Sequence, residues 1–267
     1  MTASMDLNAD VGESPSALAD GSEERLIAMV SSVNVACGGH AGDHASMHAV
    51  VMLAMRHGVA VGAHPAYPDR RNFGRRELDM SHVDLTASIK RQVTDFVNIA
   101  GSLGTTIRHI KPHGALYNAA AHDRPVAELI GQCLLPWRGR VHLVGLAGSI
   151  MLEVWASMGF RVAAEAFADR RYEPDGRLRS REHDDALIHD KADAARQAIQ
   201  IAEQGTVLAL DGSVHACRAD TICLHGDAAG AMERVIEVRR ALEAGGIRIA
   251  APWPVFGSPL NTPPGVP

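Results

Sequence analysis

The chain is poor in several residue types and patterns, and each scarcity narrows what it can be. Its four cysteines, Cys37, Cys133, Cys217 and Cys223, form no C-x-x-C pair, which argues against a disulfide-stapled scaffold or a structural zinc knot and predicts reduced thiols. Aromatic residues make up only 4%. No stretch of about 18 apolar residues exists to cross a membrane, and Met1 to Asp10 lacks a basic segment followed by an apolar one, so a cytoplasmic protein is expected. The 26 basic and 31 acidic residues, net −5, are interspersed rather than blocked, which leaves no electrostatic footprint for nucleic acid or an anionic membrane. There is no G-x-x-x-x-G-K-[ST] phosphate loop. Lysine occurs only as Lys90, Lys111 and Lys191, so a lysine inside a motif stands out. A small-molecule role is what remains.

What is present is a chain of 267 residues with 46% hydrophobic content and 25 glycines, enough for one α/β-barrel-sized domain with a large core. Short apolar runs alternate with longer amphipathic stretches, the pattern of repeated βα units. Strands are predicted near Met5 to Leu7, Ser32 to Ala36, Val59 to Ala63, Ile107 to Ile110, Val141 to Leu146, Val162 to Phe167, Thr206 to Leu210, Thr221 to Leu224 and Arg248 to Ala250. Seven or eight of them would close a parallel β/α barrel. Helices are predicted at Asp84 to Leu103, where Leu85, Ile89, Val93 and Phe96 recur on one face, at Ala192 to Gln204, and at Ala228 to Ala244. The domain is taken as residues 1–251. The tail, 252–267, holds six prolines, cannot be regular helix or inner strand, and is expected to strap across the surface or toward a partner through Trp253 and Phe256.

Nearly every predicted strand runs into charged, histidine or glycine residues at its C-terminal end, the edge that carries the active site in β/α barrels. The first strand aims Asp6, Asn8 and Asp10 one way by alternation. Later strand ends deliver Asn34, Cys37, His40 and Asp43; His64; His109, Lys111 and His113; Glu165, Asp169 and Arg170; and His225, Gly226 and Asp227, the last group at a helix start able to hold an anion.

The strings DLNADVGES, SSVNVACGGHAGDH, GVAVGAHPAYPD, FGRR, HIKPHGALYN, GLAGS, EAFADRRYEPDGRL and TICLHGD resemble, in order and spacing, the signature segments of the LamB/YcsF family. The resemblance runs from Met5 to about Ile249. It implies a seven-stranded barrel similar to that of polysaccharide deacetylases. It also implies ATP-driven conversion of 5-oxoproline to glutamate, carried out with partner subunits B and C. Two positions depart from the family pattern: His44, where proline is usual, and Ala66, where glycine is. The segment Ser14 to Gly21 is abbreviated.

Opening an unstrained lactam needs an activated carbonyl oxygen, a positioned water and a proton for the leaving nitrogen. Asp10, Asp43, Glu165 and Asp169 are candidates for water activation, Lys111 for stabilising a developing oxyanion or phosphoryl oxygen, and His113 or His225 for supplying the proton. Arg75, Arg76 and Arg170 offer a fork for the substrate carboxylate. Asp6, Asn8, Asn34, His225, Gly226 and Asp227 complete the expected substrate contacts. Asp10, His40 and His64 make a candidate oxygen and nitrogen site for a divalent ion. ATP is placed either at the helix start after Gly226 or on a partner subunit.

Plainer roles compete at several of these positions. Asp43 is a natural N-cap, His44 and His48 an exposed pair on one helix, and Cys37 a packed small residue. A carbohydrate deacetylase using His40 and His44, and a non-catalytic subunit that binds 5-oxoproline, remain open. So does a homo-oligomer.

Overall fold

The computed structural model describes residues 3–226 and 230–253. The strands are β1 (Ser4–Val11), β2 (Ser32–Ala36), β3 (Ala60–His64), β4 (His109–Ile110), β5 (His142–Leu146), β6 (Arg161–Phe167), β7 (Thr206–Leu208), β8 (Val214–Ala216), β9 (Thr221–Cys223) and β10 (Arg248–Ile249). The helices are α1 (Pro15–Ala19), α2 (Ser22–Ile27), α3 (His44–His57), α4 (His82–Ser102), α5 (Gly114–His122), α6 (Arg124–Leu134), α7 (Ile150–Ser157), α8 (Lys191–Ile199) and α9 (Ala231–Ala244).

Seven parallel strands form a closed ring in the order β1, β2, β3, β4, β5, β6, β9, with β9 pairing back onto β1 through Asp6↔Thr221 and Asn8↔Cys223. The eighth parallel strand, β10, lies beside the start of β1, with Ser4↔Arg248 and Met5↔Ile249 in register, and takes no part in closure. The predicted strand Thr206 to Leu210 is a correction. It is cut to β7 and leaves the barrel to form an antiparallel hairpin with β8. The turn between them contains Asp211-Gly212, with Gly212 at φ 85°, a dipeptide suited to tight reversals.

The helices pack around the ring. α4 starts where expected, with Ser81 Oγ accepting from Asp84 N at 3.1 Å, and buries Leu85, Ile89, Val93, Phe96 and Val97 against the sheet. Each such side chain contributes about 1.5–3 kcal/mol by leaving water. α8 continues through one π turn to Gln204 and ends on left-handed Gly205. Trp253 closes the N-terminal end of the barrel, its ring 4.9 Å from those of His109 and His142. The remaining tail, including Phe256, lies outside the described residues. No helix among the described residues is long and apolar enough to cross a membrane.

Candidate active site

The barrel interior is polar along its axis and is built in layers. In the floor, Asp6 accepts from Ser31 Oγ at 2.6 Å and from Ser32 Oγ and Thr221 Oγ1 at 2.7 Å. Burial nonetheless pushes its carboxyl above the usual range. One layer up, Asn8 Nδ2 donates to Thr221 Oγ1 at 2.7 Å and Glu165 Oε1 at 3.0 Å, while Asn34 Nδ2 reaches Asn8 Oδ1 and Asp10 Oδ1, both at 2.8 Å. His109 Nε2 donates to Asn34 Oδ1 at 2.8 Å, and burial depresses this imidazole to about 3. Its ring lies where a side chain on Gly62 would stand, which is why that position carries none. Asp6, Asn8 and Asn34, expected to contact substrate, instead form this buried lattice beneath the mouth and do not line its cavity.

Lys111, 3% exposed, stands at the centre of the next layer. Its Nζ lies 2.9 Å from Glu165 Oε1, 3.1 Å from Asp10 Oδ1 and 3.3 Å from Cys223 Sγ. Burial acts to depress the ammonium, but Asp10, Cys223 and Glu165 reverse this and hold its pKa well above the ordinary value. Burial likewise opposes ionisation of Asp10, and His64 and Lys111 prevail, leaving it well below the usual carboxylate range. All three lysine hydrogens have acceptors. The thiol sulfur is the weakest of these, so its hydrogen is the one available to a developing oxyanion.

Beside this cluster stands a carboxylate–histidine pair, with one ligand atom each of His225, Asp10 and Cys223 within 4.8 Å of one another. Asp169 accepts from the His225 backbone N–H at 2.8 Å and faces ring Nδ1 at 3.1 Å. Burial would raise Asp169, but His225 overrides it and brings the carboxyl down to about 2. The Phe167 ring stacks on His225 at 5.7 Å and lies 5.5 Å from Lys111 Nζ, joining the two groups. A cavity of about 590 Å³ opens above them, bordered by Asp10, Lys111, His225, Arg75, Arg76 and Arg170. Arg170 is buried, donates to Arg179 O at 2.5 Å, and is depressed to about 10 by burial and by Arg181. Arg75 lies over the Phe73 ring at 4.9 Å.

Other expected residues fall elsewhere. Asp43 is exposed and caps α3 by a reciprocal pair with Ser46, both bonds 2.8 Å, so its position gives it a helix-capping role rather than the catalytic one expected. His44 and His48 are exposed on α3, away from buried His40, which removes the deacetylase-like pairing of His40 with His44. Cys37 is a packed thiol pushed up to about 12 by burial. Gly226 borders a smaller pocket beside Glu13 and Asp10, and Asp227 lies outside the described residues.

The candidate metal group differs from the expected one. His40 and His64 are joined by Glu13 and His113 rather than by Asp10, one ligand atom from each lying within 4.8 Å of all the others. The His40 and His113 rings stack in parallel at 3.6 Å. Burial depresses both imidazoles, opposed at His40 by Glu13 and reinforced at His113 by His40. Glu13 escapes the alternation argument because Gly12, at φ 74°, turns the chain after β1. Tyr117, Phe167 and Cys223 were also not singled out by sequence; each lies beside Lys111.

Similarity to known proteins agrees with this architecture. The chain is 47% identical over 249 residues to the 5-oxoprolinase A subunit of Chloroflexus aggregans, covering 93% of this chain and 99% of that one. It is 44% identical to a 5-oxoprolinase A subunit of Agrobacterium fabrum, the first of a numbered set, covering 92% and 97%. A crystal structure of the lactam utilization protein from Thermus thermophilus superposes with a TM-score of 0.85 at 40% identity, covering 93% of this chain and 99% of that one. The LamB/YcsF family profile matches residues 5–256, and the chain belongs to the LamB/YcsF family.

Proposed function

We propose that this chain carries the ring-opening site of an ATP-dependent 5-oxoprolinase that converts 5-oxoproline to glutamate in the cytoplasm together with subunits B and C. The observation that carries this reading is the Asp169–His225 pair standing beside Asp10 and Lys111 at an arginine-edged cavity. The names of the relatives supply the substrate class.

The chemistry follows from where the hydrogens sit. A carboxylate against His225 Nδ1 keeps the proton there and leaves Nε2 as the basic nitrogen. His225 then takes a proton from water as it attacks the lactam carbonyl, and returns it to the ring nitrogen as the C–N bond breaks. Lys111 places a positive charge near the developing oxyanion and fixes Asp10 and Glu165 by opposite charge. Arg75, Arg76 and Arg170 offer the fork for the substrate carboxylate. This changes the sequence expectation in two respects. Asp169 orients a base rather than acting as one, and His113, bonded at Nε2 to Phe73 O at 3.0 Å, is engaged elsewhere. The sequence has no phosphate loop, so ATP is assigned to the assembled enzyme, its role being to pass its γ-phosphoryl to the amide oxygen with release of ADP. Lys111 then faces a phosphoryl oxygen, C–N cleavage gives an acyl phosphate, and a second water hydrolyses it to glutamate and phosphate.

The test is glutamate release from 5-oxoproline and ATP by the chain alone, by subunits B and C alone, and by all three together. Only the full assembly should turn over, and His225→Gln should lower kcat by about 10²–10⁴ while substrate binding persists. Full activity of the assembly with that variant would transfer the chemistry to a partner and leave this chain a binding subunit.

A further inference from the structure

Two histidines at the mouth face each other with nothing to share. His64 Nδ1 lies 2.7 Å from the carbonyl oxygen of Lys111, an acceptor only, so Nδ1 carries the ring hydrogen and Nε2 bears a lone pair. His113 Nε2 lies 3.0 Å from the carbonyl oxygen of Phe73, which by the same reasoning leaves the lone pair on Nδ1. These two bare nitrogens are 2.9 Å apart. Around them stand two more acceptors: Asp10 Oδ2, 3.2 Å from His64 Nε2, and Glu13 Oε1, 3.5 Å from His113 Nδ1. His40 Nε2 lies 2.7 Å from the same Glu13 oxygen, and His40 Nδ1 is buried without a hydrogen-bond partner among the described residues. Acceptors converging on acceptors repel unless a cation lies between them.

We propose that Glu13, His40, His64 and His113 bind a divalent transition-metal ion of the zinc class, with Asp10 beside it. A tetrahedral ion sits about 2.0–2.2 Å from such ligands, which sets ligand-to-ligand separations of about 3.3–3.5 Å. Of the observed separations, Glu13 to His113 at 3.5 Å matches that range, while His64 to His113 at 2.9 Å and Glu13 to His40 at 2.7 Å would open by about half an ångström as the ion enters. One carboxylate with three imidazoles suits zinc, cobalt or nickel and does not suit magnesium or calcium, which prefer oxygen alone. Both backbone carbonyls act as the outer partners that fix ring tautomer in metal sites. Phe73 is held at φ 56°, a costly conformation for a bulky residue, and its carbonyl is the one that orients His113. The four elements involved are the ends of β1, β2, β3 and β4, so the site is assembled only when the barrel closes.

The site stands or falls independently of lactam turnover, because it is tested on this chain alone. Purified without chelators, the protein should carry about one transition-metal ion per chain by plasma mass spectrometry. After stripping, cobalt(II) should restore occupancy with the strong visible absorption of a four-coordinate ion. His64→Gln and His113→Gln should each weaken cobalt binding by at least about 100-fold, while His44→Gln and His48→Gln on α3 leave it unchanged. If either mouth histidine proves essential for folding, Glu13→Gln replaces it, with the same loss expected. A chain with less than about a tenth of an ion and no cobalt band would show that a proton bridges His64 and His113 instead, and would overturn the proposal. Cobalt binding that survives the mouth variants but falls with the α3 variants would overturn it equally.

Discussion

The floor and the mouth of the barrel are both lined with buried polar side chains, yet their hydrogen bonding follows opposite rules. In the floor most acceptors meet donors: Asp6 takes three hydroxyls, and Asn8 and Asn34 pass donors from one layer to the next, while His109 Nδ1 is buried without a partner among the described residues. At the mouth, acceptors face acceptors around His64 and His113, and one lysine balances two carboxylates. Matched groups satisfy the need to pair whatever is buried. Mismatched groups are costly, and at the mouth the proposed metal ion would remove the mismatch. The difference distinguishes the polar residues that tie the strands together from the group proposed to hold an ion.

The largest effect expected from breaking this contrast is at Lys111. Lys111→Met leaves Asp10 and Glu165 buried without their counter-charge, and should cost about 3–5 kcal/mol of stability and abolish glutamate release in the assembled enzyme. A variant with unchanged unfolding midpoint would mean the mouth charges are solvated. Next is Glu23, which accepts from the Gly12 N–H at the edge of the mouth and is raised to about 7 by burial. Because the folded value exceeds the unfolded one, its stabilising contribution is complete below about pH 4.5 and is lost as pH rises to 7. Glu23→Gln should therefore gain stability over that window, reaching at most about 3 kcal/mol above pH 7. Denaturant midpoints showing the same difference at pH 4.5 and 8 would contradict this.

In the floor, Asp6→Ala strands three hydroxyls and should cost about 1–3 kcal/mol while leaving kcat of the surviving folded enzyme unaltered. A kcat loss without a stability loss would move Asp6 into the catalytic group. The smallest effect is outside the barrel. Asp43→Ala removes the α3 cap and should cost about 1 kcal/mol in thermal unfolding with full activity retained, and a loss of activity would restore the catalytic role that its motif suggested.

Much of the fold was legible because parallel strands are buried on both faces and read as short apolar runs. Ser32–Ala36 was placed to the residue, and α4 was found from its period and its Ser81 cap. Thr206 to Leu210 misled because it has the same apolar signature, although Asp211-Gly212 was already there to mark a hairpin. At the site, Lys111, Asp169 and His225 were legible as polar residues just past strand ends. Glu13 ends the first strand's polar string and could equally stabilise the following helix start, but it was not placed among the metal ligands, since left-handed Gly12 breaks the two-residue alternation. Asp6, Asn8 and Asn34 were expected at the substrate and lie below the cavity instead, because alternation tells which way a side chain points and not how far below the mouth it lies.

The sequence by itself determined that this chain forms a β/α barrel with a polar C-terminal rim and belongs among LamB/YcsF proteins, since hydrophobic period and motif order are properties of the string. The tertiary structure alone decided which nitrogen of each histidine is bare. That depends on carbonyls from Lys111 and Phe73, 47 and 40 residues away from the rings they hold, and a local pattern cannot specify a hydrogen position fixed by a segment that arrives only when the barrel closes.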